Sequence, residues 1–196
     1  MSPDKIGFDL DNTLIDYSVS ARVYAEQLNI EEICDLASLR NALLARSDKD
    51  WQEAQAWIYT SGLKYATPGY GWSDLLIKLL RSKTDLYIVS HKTRFTPEQY
   101  GRIDLHYCAR NWLEEAVNIH EIGEIKGVFF EPSRENKIEK ISALDLDCFV
   151  DDLIEVLEDP KFPLRTRKVL YDPQSRFKST DSITSIDSLS KVPING

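Results

Sequence analysis

Short apolar runs alternate with amphipathic stretches along most of this chain. Five of these runs have the length of buried strands and end in polar or turn-forming residues, at 6–10, 86–89, 127–130, 147–150 and 167–171. The stretches between them carry apolar residues at intervals of three and four, as in the helix predicted from Trp72 to Leu80. Strands that alternate with helices predict an α/β fold whose mainly parallel sheet has helices on both faces.

The pattern changes between residues 16 and 66, where helical spacing continues without a strand-like run. Leu36, Leu39 and Leu43 form one apolar stripe, and Ser47 is a suitable N-cap for a helix over 51–60. Pro68-Gly69 then ends the segment. These features predict a small helical unit inserted after the first strand.

The C-terminal tail is polar, with a regular set of apolar positions inside it. Ile183, Ile186 and Leu189 recur every three residues. This spacing predicts a last short helix that lies on the core.

The composition is that of a soluble globular protein. Of the 196 residues, 42% are apolar and 29% are charged, and the net charge is −8. That balance disfavours a nucleic-acid polymer or an anionic membrane as a partner, because no basic stripe offsets it. Cys34, Cys108 and Cys148 form no Cys-x-x-Cys pair, which indicates reduced thiols. No apolar run resembles a signal peptide or a membrane span, so a cytoplasmic location is expected.

Two carboxylates follow the first predicted strand. Asp9 and Asp11 are two residues apart, so in an extended backbone both side chains leave on the same side. Like charges at that distance raise each other's pKa unless a cation lies between them. A lone Asp-x-Asp is more typical of a solvated turn, but the end of a buried parallel strand is also where open α/β sheets place their chemistry.

The longer stretch Phe8-Asp9-Leu10-Asp11-Asn12-Thr13-Leu14 resembles the first motif of the haloacid dehalogenase-like (HAD) superfamily, Asp-x-Asp-x-Thr. The resemblance implies that Asp9 is a nucleophile that accepts a phosphoryl group and that Asp11 is the general acid and base. The strand at 86–89 ends in Ser90-His91, which is similar to the second motif. By that resemblance, the Ser90 hydroxyl and the His91 amide bind phosphate, although a helix N-cap is another common role for such a serine.

Two further motifs follow in the order of the family. Lys137 stands at the head of the helix predicted from 133 to 144 and matches the third motif by position, with Lys140 and Arg134 as competing candidates. The strand at 147–150 ends in Asp151-Asp152, which resembles the fourth motif in its Asp-Asp form. The resemblance implies that these two acids bind Mg²⁺, together with Asp9 and the backbone carbonyl of Asp11; hard divalent cations prefer such oxygen ligands.

The four motifs together imply a HAD-like Rossmannoid core at 1–15 and 67–196 and a helical cap at 16–66. They also imply a Mg²⁺-dependent phosphomonoester hydrolase that acts on a small phosphorylated metabolite, a sugar phosphate or a nucleotide, through an aspartyl-phosphate. A phosphotransferase or phosphomutase would use the same residues. A HAD-fold binding or regulatory protein with weak turnover is a third alternative.

Several residues outside the motifs are candidates for substrate contact. Lys92 and Arg94 could hold a second anionic group of the substrate, or they could belong to a solvated loop. Trp51, Trp57 and Tyr59 crowd one predicted helix of the cap and could either pack its core or form an apolar wall over the site.

Overall fold

The computed structural model describes residues 4–82, 84–116 and 125–194. In chain order its strands are β1 (Lys5–Phe8), β2 (Ile15–Asp16), β3 (Thr67–Pro68), β4 (Asp85–His91), β5 (Ile125–Glu131), β6 (Cys148–Asp151), β7 (Arg167–Tyr171) and β8 (Ile183–Ile186). Its α-helices are α1 (Ser18–Gln27), α2 (Leu36–Leu44), α3 (Asp48–Ile58), α4 (Trp72–Arg81), α5 (Leu105–Ala116), α6 (Arg134–Ala143) and α7 (Ile154–Leu157). Short 3-10 helices span Ser61–Tyr65, Glu98–Tyr100 and Leu189–Lys191.

Six of the strands form one sheet in the order β5-β4-β1-β6-β7-β8. Every neighbouring pair in it is parallel, and Phe8 of β1 lies opposite Ile88 of β4 and Val150 of β6. The first strand of the chain is therefore central. The predicted α/β fold with a mainly parallel sheet is confirmed.

Apolar side chains cover both faces of the sheet. Along β6, Cys148 and Val150 belong to a cluster with residues of α4 and α5, while Phe149 between them packs with residues of α6 and α7. Successive side chains of a strand point to opposite faces, so this alternation places the two helix pairs on opposite sides. On the α6 side, a Cβ at Gly7 would lie 2.5 Å from Leu146 Cδ1 and 2.6 Å from Phe149 Cδ2. The central strand β1 is therefore packed closely against its neighbours on this face of the sheet.

The helix predicted for the tail is wrong. Residues Ile183–Ile186 form β8, the edge strand beside β7, and only Leu189–Lys191 has a helical turn, of the 3-10 type. Ile183 and Ile186 are three apart and therefore point to opposite faces of the strand. Both are buried, one in each of the two apolar clusters. A strand that is covered on both faces thus produced a spacing that is typical of a helix.

The regular structure between β2 and β3 is helical, and the two strands pair with each other. Ile15 lies opposite Pro68 and Asp16 opposite Thr67, so the chain leaves the sheet region and returns to it through one antiparallel ribbon. Helices α1, α2 and α3 lie between them, and Ser47 caps α3 as predicted by accepting a hydrogen bond from the Asp50 amide at 3.1 Å. The ribbon lies beside both limits of the predicted cap, residues 16 and 66, and the division into core and cap remains a prediction.

The three cysteines are free and differ in burial. Cys34 is exposed, whereas Cys148 lies in the buried strand β6, where burial raises the pKa of its thiol to about 12. Because the thiolate is the reacting form, we expect a maleimide at pH 8 to label Cys34 rapidly and Cys148 only after unfolding. Mass spectrometry of the labelled peptides, with and without denaturant, checks this. Fast labelling of Cys148 in the folded protein would contradict the packing of β6.

Among the residues that the structure describes, no helix has both the length and the apolar composition needed to cross a membrane.

Candidate active site

The carboxyl ends of three neighbouring strands bring the motif residues together. Asp9 directly follows β1, Ser90 lies near the end of β4, and Asp151 ends β6. Because these strands are parallel and adjacent, their ends meet at the same edge of the sheet. Helix α6 begins there as well, after Ser133, whose hydroxyl accepts a hydrogen bond from the Asn136 amide at 3.1 Å. This capped start places Lys137 in the first turn, beside the strand ends.

Lys137 joins two of the carboxylates. Its Nζ lies 2.5 Å from Asp9 Oδ1 and 2.6 Å from Asp151 Oδ2, and all three side chains are at most 7% exposed. The other oxygen of Asp151 accepts a hydrogen bond from the Leu153 amide at 3.0 Å. The competing candidates lie elsewhere: Arg134 is exposed, and Lys140 pairs with Glu131 at 3.7 Å. Of the three basic residues on this helix that matched the motif, Lys137 is the one that reaches the carboxylates.

The negative charge of this group exceeds what one lysine can neutralise. Burial raises the pKa of Asp9 to about 7; Lys137 opposes this shift, and the charges of Asp151 and Asp11 add to it. Burial and the neighbouring Asp151 and Asp9 carboxylates hold the pKa of Asp152 well above its usual range. Burial alone would lower the pKa of Lys137, but its two carboxylate partners raise it above the ordinary value.

The donor set fits a divalent cation. Carboxylate oxygens of Asp9, Asp151 and Asp152 all lie within 4.8 Å of one another. Three acids with a single lysine leave an excess of negative charge in a mostly buried place, and oxygen ligands of this kind suit Mg²⁺. The residues could therefore hold the metal that the sequence motif implies. For Asp11, the sequence motif predicts the backbone carbonyl as the Mg²⁺ ligand. This remains a prediction.

The Asp11 side chain has different neighbours from Asp9. Lys92 Nζ lies 2.9 Å from Asp11 Oδ1 and 2.7 Å from Oδ2, and the Tyr17 hydroxyl donates to Oδ1 at 2.7 Å. The next residue, Asn12, has a φ of 59°, the left-handed conformation that asparagine tolerates in turns. Asp9 and Asp11 are therefore paired with different lysines, Asp9 with Lys137 and Asp11 with Lys92.

A cavity of about 260 Å³ opens above these residues. From the sheet side it is lined by the predicted phosphate-binding residues Ser90, His91 and Lys137, together with Asp9, Asp11, Asp152 and Lys92. Ser90 is buried, and partial burial together with the nearby Lys137 lowers the pKa of His91. The predicted catalytic and phosphate-binding residues therefore face a common space.

The opposite wall of the cavity is one face of α3 and the turn that follows it. Gln52, Gln55, Ala56 and Tyr59 line it. Their spacing of three, four and seven residues places them on one side of a helix. The sequence-based reasoning missed the two glutamines because it followed apolar residues, and the same spacing applied to polar residues would have found them.

The predicted aromatic wall is present only in part. Tyr59 lines the cavity. Trp57 instead packs against Tyr24 and Tyr65, with ring centroids 5.3 and 6.1 Å apart, and the Arg40 guanidinium lies 5.9 Å from the Trp51 ring. The two tryptophans therefore lie among the helices of the insert, which was the simpler of the two expectations.

The loop after β4 supplies most of the remaining lining. It includes residues that the sequence-based reasoning did not single out, namely Thr93, Phe95, Thr96 and Pro97, with Leu105 from α5. Arg94, a candidate for substrate contact, is not among the lining residues: its side chain is 66% exposed and its Nε lies 3.2 Å from Asp104 Oδ2. Lys92, the other candidate, lines the cavity with its ammonium group held by Asp11.

The sequence matches no protein-family model and no curated protein sequence. Similarity to solved structures, however, extends over nearly the whole chain. A dehalogenase determined as an intermediate complex has a TM-score of 0.60 at 13% identity, over 96% of this chain and 95% of that chain. YfnB from Bacillus subtilis, described as a HAD hydrolase and bound to magnesium, has a TM-score of 0.55 at 15% identity, over 96% of both chains. CbbY from Rhodobacter sphaeroides, in complex with phosphate, has a TM-score of 0.53 at 14% identity, over 97% and 96%.

Identities this low show a common fold and leave the reaction to be argued from the site. The shared fold agrees with the resemblance seen in the motifs. In this chain it is built on a parallel sheet with β1 at its centre. The chain has the haloacid dehalogenase-like fold.

Proposed function

We infer that this protein is a Mg²⁺-dependent phosphomonoester hydrolase that acts on a small phosphorylated metabolite through an aspartyl-phosphate. One observation carries the proposal: Asp9 lies beside Lys137, Asp151 and Asp152 at the floor of a cavity, where the carboxylate oxygens of the three acids are within 4.8 Å of one another. A carboxylate nucleophile that must approach a dianionic phosphate needs cations beside it, and here Lys137 and a divalent cation held by the three acids would supply them.

The chain's own residues have separate parts in binding. Lys137 offers its ammonium group to the phosphate oxygens, and Ser90 on the neighbouring strand offers a hydroxyl donor. Asp9, Asp151 and Asp152 would hold Mg²⁺, which supplies charge neutralisation for the phosphate when it is bound. Helix α3 closes the cavity opposite the sheet and excludes water from the leaving group.

The reaction then proceeds in two steps. An Asp9 carboxylate oxygen attacks phosphorus, the bond from phosphorus to the ester oxygen breaks, and Asp11 gives its proton to that oxygen. In the second step Asp11 takes a proton from water, the water oxygen bonds to phosphorus, and the Asp9–phosphorus bond breaks. Inorganic phosphate leaves and both carboxylates return to their first state. Asp11 favours this hydrolysis over dehalogenation, because a halide leaving group needs no proton.

The structural neighbours are consistent with this proposal. CbbY is a phosphate complex in one structure and, as a mutant, a complex with xylulose-(1,5)bisphosphate in another, and YfnB binds magnesium. Those ligands belong to those proteins. They support a phosphorylated metabolite and Mg²⁺ as the first substrates and cofactor to try here.

The experiment that tests the function is a panel of phosphate esters assayed for phosphate release, with Mg²⁺ and with EDTA. Release that requires Mg²⁺ supports a hydrolase. A phosphorylated sugar acceptor without free phosphate would instead identify a phosphotransferase or mutase. Tight binding of phosphate or of an ester by isothermal calorimetry, without turnover of any ester, would identify a binding protein.

A second prediction concerns the wall formed by α3. The Gln55 side chain lines the cavity, where its amide can form a hydrogen bond with a substrate. Gln55→Ala should therefore change kcat/KM between substrates by roughly fivefold, the value of one hydrogen bond, without lowering the melting temperature. Trp57→Ala is the matched control on the same helix, because its ring packs inside the insert. It should lower the melting temperature and reduce activity on every ester equally. Equal losses from both variants would contradict a selecting role for this face.

A further inference from the structure

Two residues fix the Asp11 carboxylate. Lys92 is far from it in the sequence, and Tyr17 lies outside the cavity. Lys92 contacts both of its oxygens, and Tyr17 contacts Oδ1. A carboxylate can accept about four hydrogen bonds, two at each oxygen. Among the hydrogen bonds of the described residues, Oδ1 accepts two and Oδ2 accepts one. One acceptor position therefore remains, and it is on Oδ2.

Lys92 is itself held in place. Its side chain is only 3% exposed, and its ammonium group lies 4.1 Å from the centre of the Tyr59 ring on the insert. Its backbone is fixed too, because its amide donates to Glu131 O at 3.0 Å and its carbonyl oxygen lies 2.9 Å from His106 Nε2. A cation enclosed between a carboxylate and an aromatic ring is poorly placed to leave and bind a second anionic group of a substrate.

Tyr17 contacts Asp11 from outside the cavity. It is 1% exposed, does not line the cavity, and packs its ring against Tyr59 at a centroid distance of 5.1 Å. Its hydroxyl reaches Asp11 Oδ1 without facing substrate. A change at this hydroxyl would therefore alter Asp11 without altering any substrate contact.

From this geometry we propose that Lys92 and Tyr17 are positioning residues for Asp11, which turn its carboxylate so that Oδ2 exchanges the proton with the ester oxygen. The proposal rests on the hydrolase function given above. A general acid acts only within hydrogen-bond reach of the atom it protonates, so a carboxylate that rotates freely loses part of its effect. Lys92 is thereby assigned to Asp11 and not to a second phosphate of the substrate.

The test uses two esters that differ in their need for an acid. p-Nitrophenyl phosphate has a good leaving group that departs without much protonation, whereas glycerol phosphate has an alkoxide leaving group that needs a proton. In Lys92→Met, kcat/KM for glycerol phosphate should fall roughly 10- to 100-fold, part of the 10²–10⁴ that a general acid contributes, and fall less than about threefold for the nitrophenyl ester. Asp11→Asn removes the acid itself. It therefore gives the largest difference between the two esters that a loss of its positioning could produce. Lys92→Arg, which keeps the charge, should restore much of the loss.

Tyr17→Phe gives an independent test, because it removes a single hydroxyl and keeps the buried ring. It should lower kcat/KM for glycerol phosphate about fivefold, the value of one hydrogen bond, and leave the nitrophenyl ester unchanged. Lys64→Met is the matched control, since Lys64 is an exposed cation 4.9 Å from the Tyr65 ring and does not line the cavity. It should change neither ester.

Two results would overturn the inference alone while the function stands: equal losses on both esters in Lys92→Met and Tyr17→Phe, or a loss in Lys92→Met confined to substrates with a second phosphate. Failure of the unaltered protein to hydrolyse any ester of the panel with Mg²⁺ would overturn the proposed function, and this inference with it.

Discussion

Asp9→Asn should abolish turnover and at the same time raise the melting temperature at pH 8 in the absence of Mg²⁺. The loss of activity is expected on the order of 10⁴-fold or more, because the nucleophile of the first step is removed. The gain in stability follows from the charge of Asp9, which lies buried beside Asp151 and Asp11. Asparagine keeps the shape of the side chain and removes that charge.

The sign of the stability change follows from the pKa of Asp9, which the folded state raises from 3.8 to about 7. Between these values the folded protein binds more protons than the unfolded chain, so this residue makes the free energy of unfolding fall as pH rises. The full penalty, up to about 4 kcal/mol, is present above pH 7 and absent below pH 4. The variant should therefore melt several degrees higher than the unaltered protein at pH 8 and equally at pH 4.

Asp104→Asn is the control for this prediction. Hydrogen bonding from the Tyr107 amide, and then the Arg94 side chain, lower the pKa of Asp104, so its charge stabilises the fold. The same chemical change should then leave the melting temperature unchanged or slightly lower at pH 8. Full activity of Asp9→Asn would rule out the covalent route, and a lower melting temperature at pH 8 would contradict the electrostatic argument.

Lys137→Met should be the most destabilising substitution at the site. It removes the cation that lies 2.5 Å from Asp9 and 2.6 Å from Asp151 and leaves two carboxylates buried without it. Breaking a buried ion pair by removing one partner costs about 3–5 kcal/mol. We expect a loss of that size in the free energy of unfolding, measured by urea denaturation at pH 8 without Mg²⁺. Activity should fall roughly 10²- to 10³-fold, as when one donor to a developing charge is removed.

Lys140→Met provides the comparison on the same helix. Its side chain is 33% exposed and pairs with Glu131 at 3.7 Å, so its loss should cost no more than about 1 kcal/mol and leave activity unchanged. The two variants also separate the candidates for the third motif. If Lys140→Met lost activity and Lys137→Met kept it, the assignment of Lys137 to the phosphate would be wrong.

The sheet was predictable because its strands are apolar runs that end in polar residues. The run at 167–171 matches β7 residue for residue, and the others match to within a few residues. The edge strand β8 was missed because Ile183 and Ile186, three apart, lie on opposite faces of a covered strand. Periodicity in a single sequence does not distinguish that arrangement from a helix.

The residues of the site were predictable to the extent that local motifs contain them. Asp9, Ser90 and Asp151 lie at or next to the ends of strands, and such positions can be predicted from nearby residues. Lys137 lies in the first turn of a helix, and its position can be predicted in the same way. The pairing of Lys92 with Asp11 cannot, because 81 positions separate them and only the sheet order, with β4 next to β1, makes them neighbours. Because its pairing with Asp11 is not visible in the sequence, Lys92 was considered there as a candidate for substrate contact.

The four cavity-facing residues of α3 and its end have a consequence for how this protein could diverge. On the sheet side, Lys137 forms ion pairs with Asp9 and Asp151, so that a change at Lys137 also disturbs both acids. Gln52, on the opposite wall, is exposed. Its helix α3 ends before β3, where the chain returns to the sheet region. Substitutions at Gln52 can therefore accumulate at little cost to folding. A new leaving group can therefore be accommodated through α3 while the phosphate half of the site stays the same, which makes this helix the first place to randomise in directed evolution.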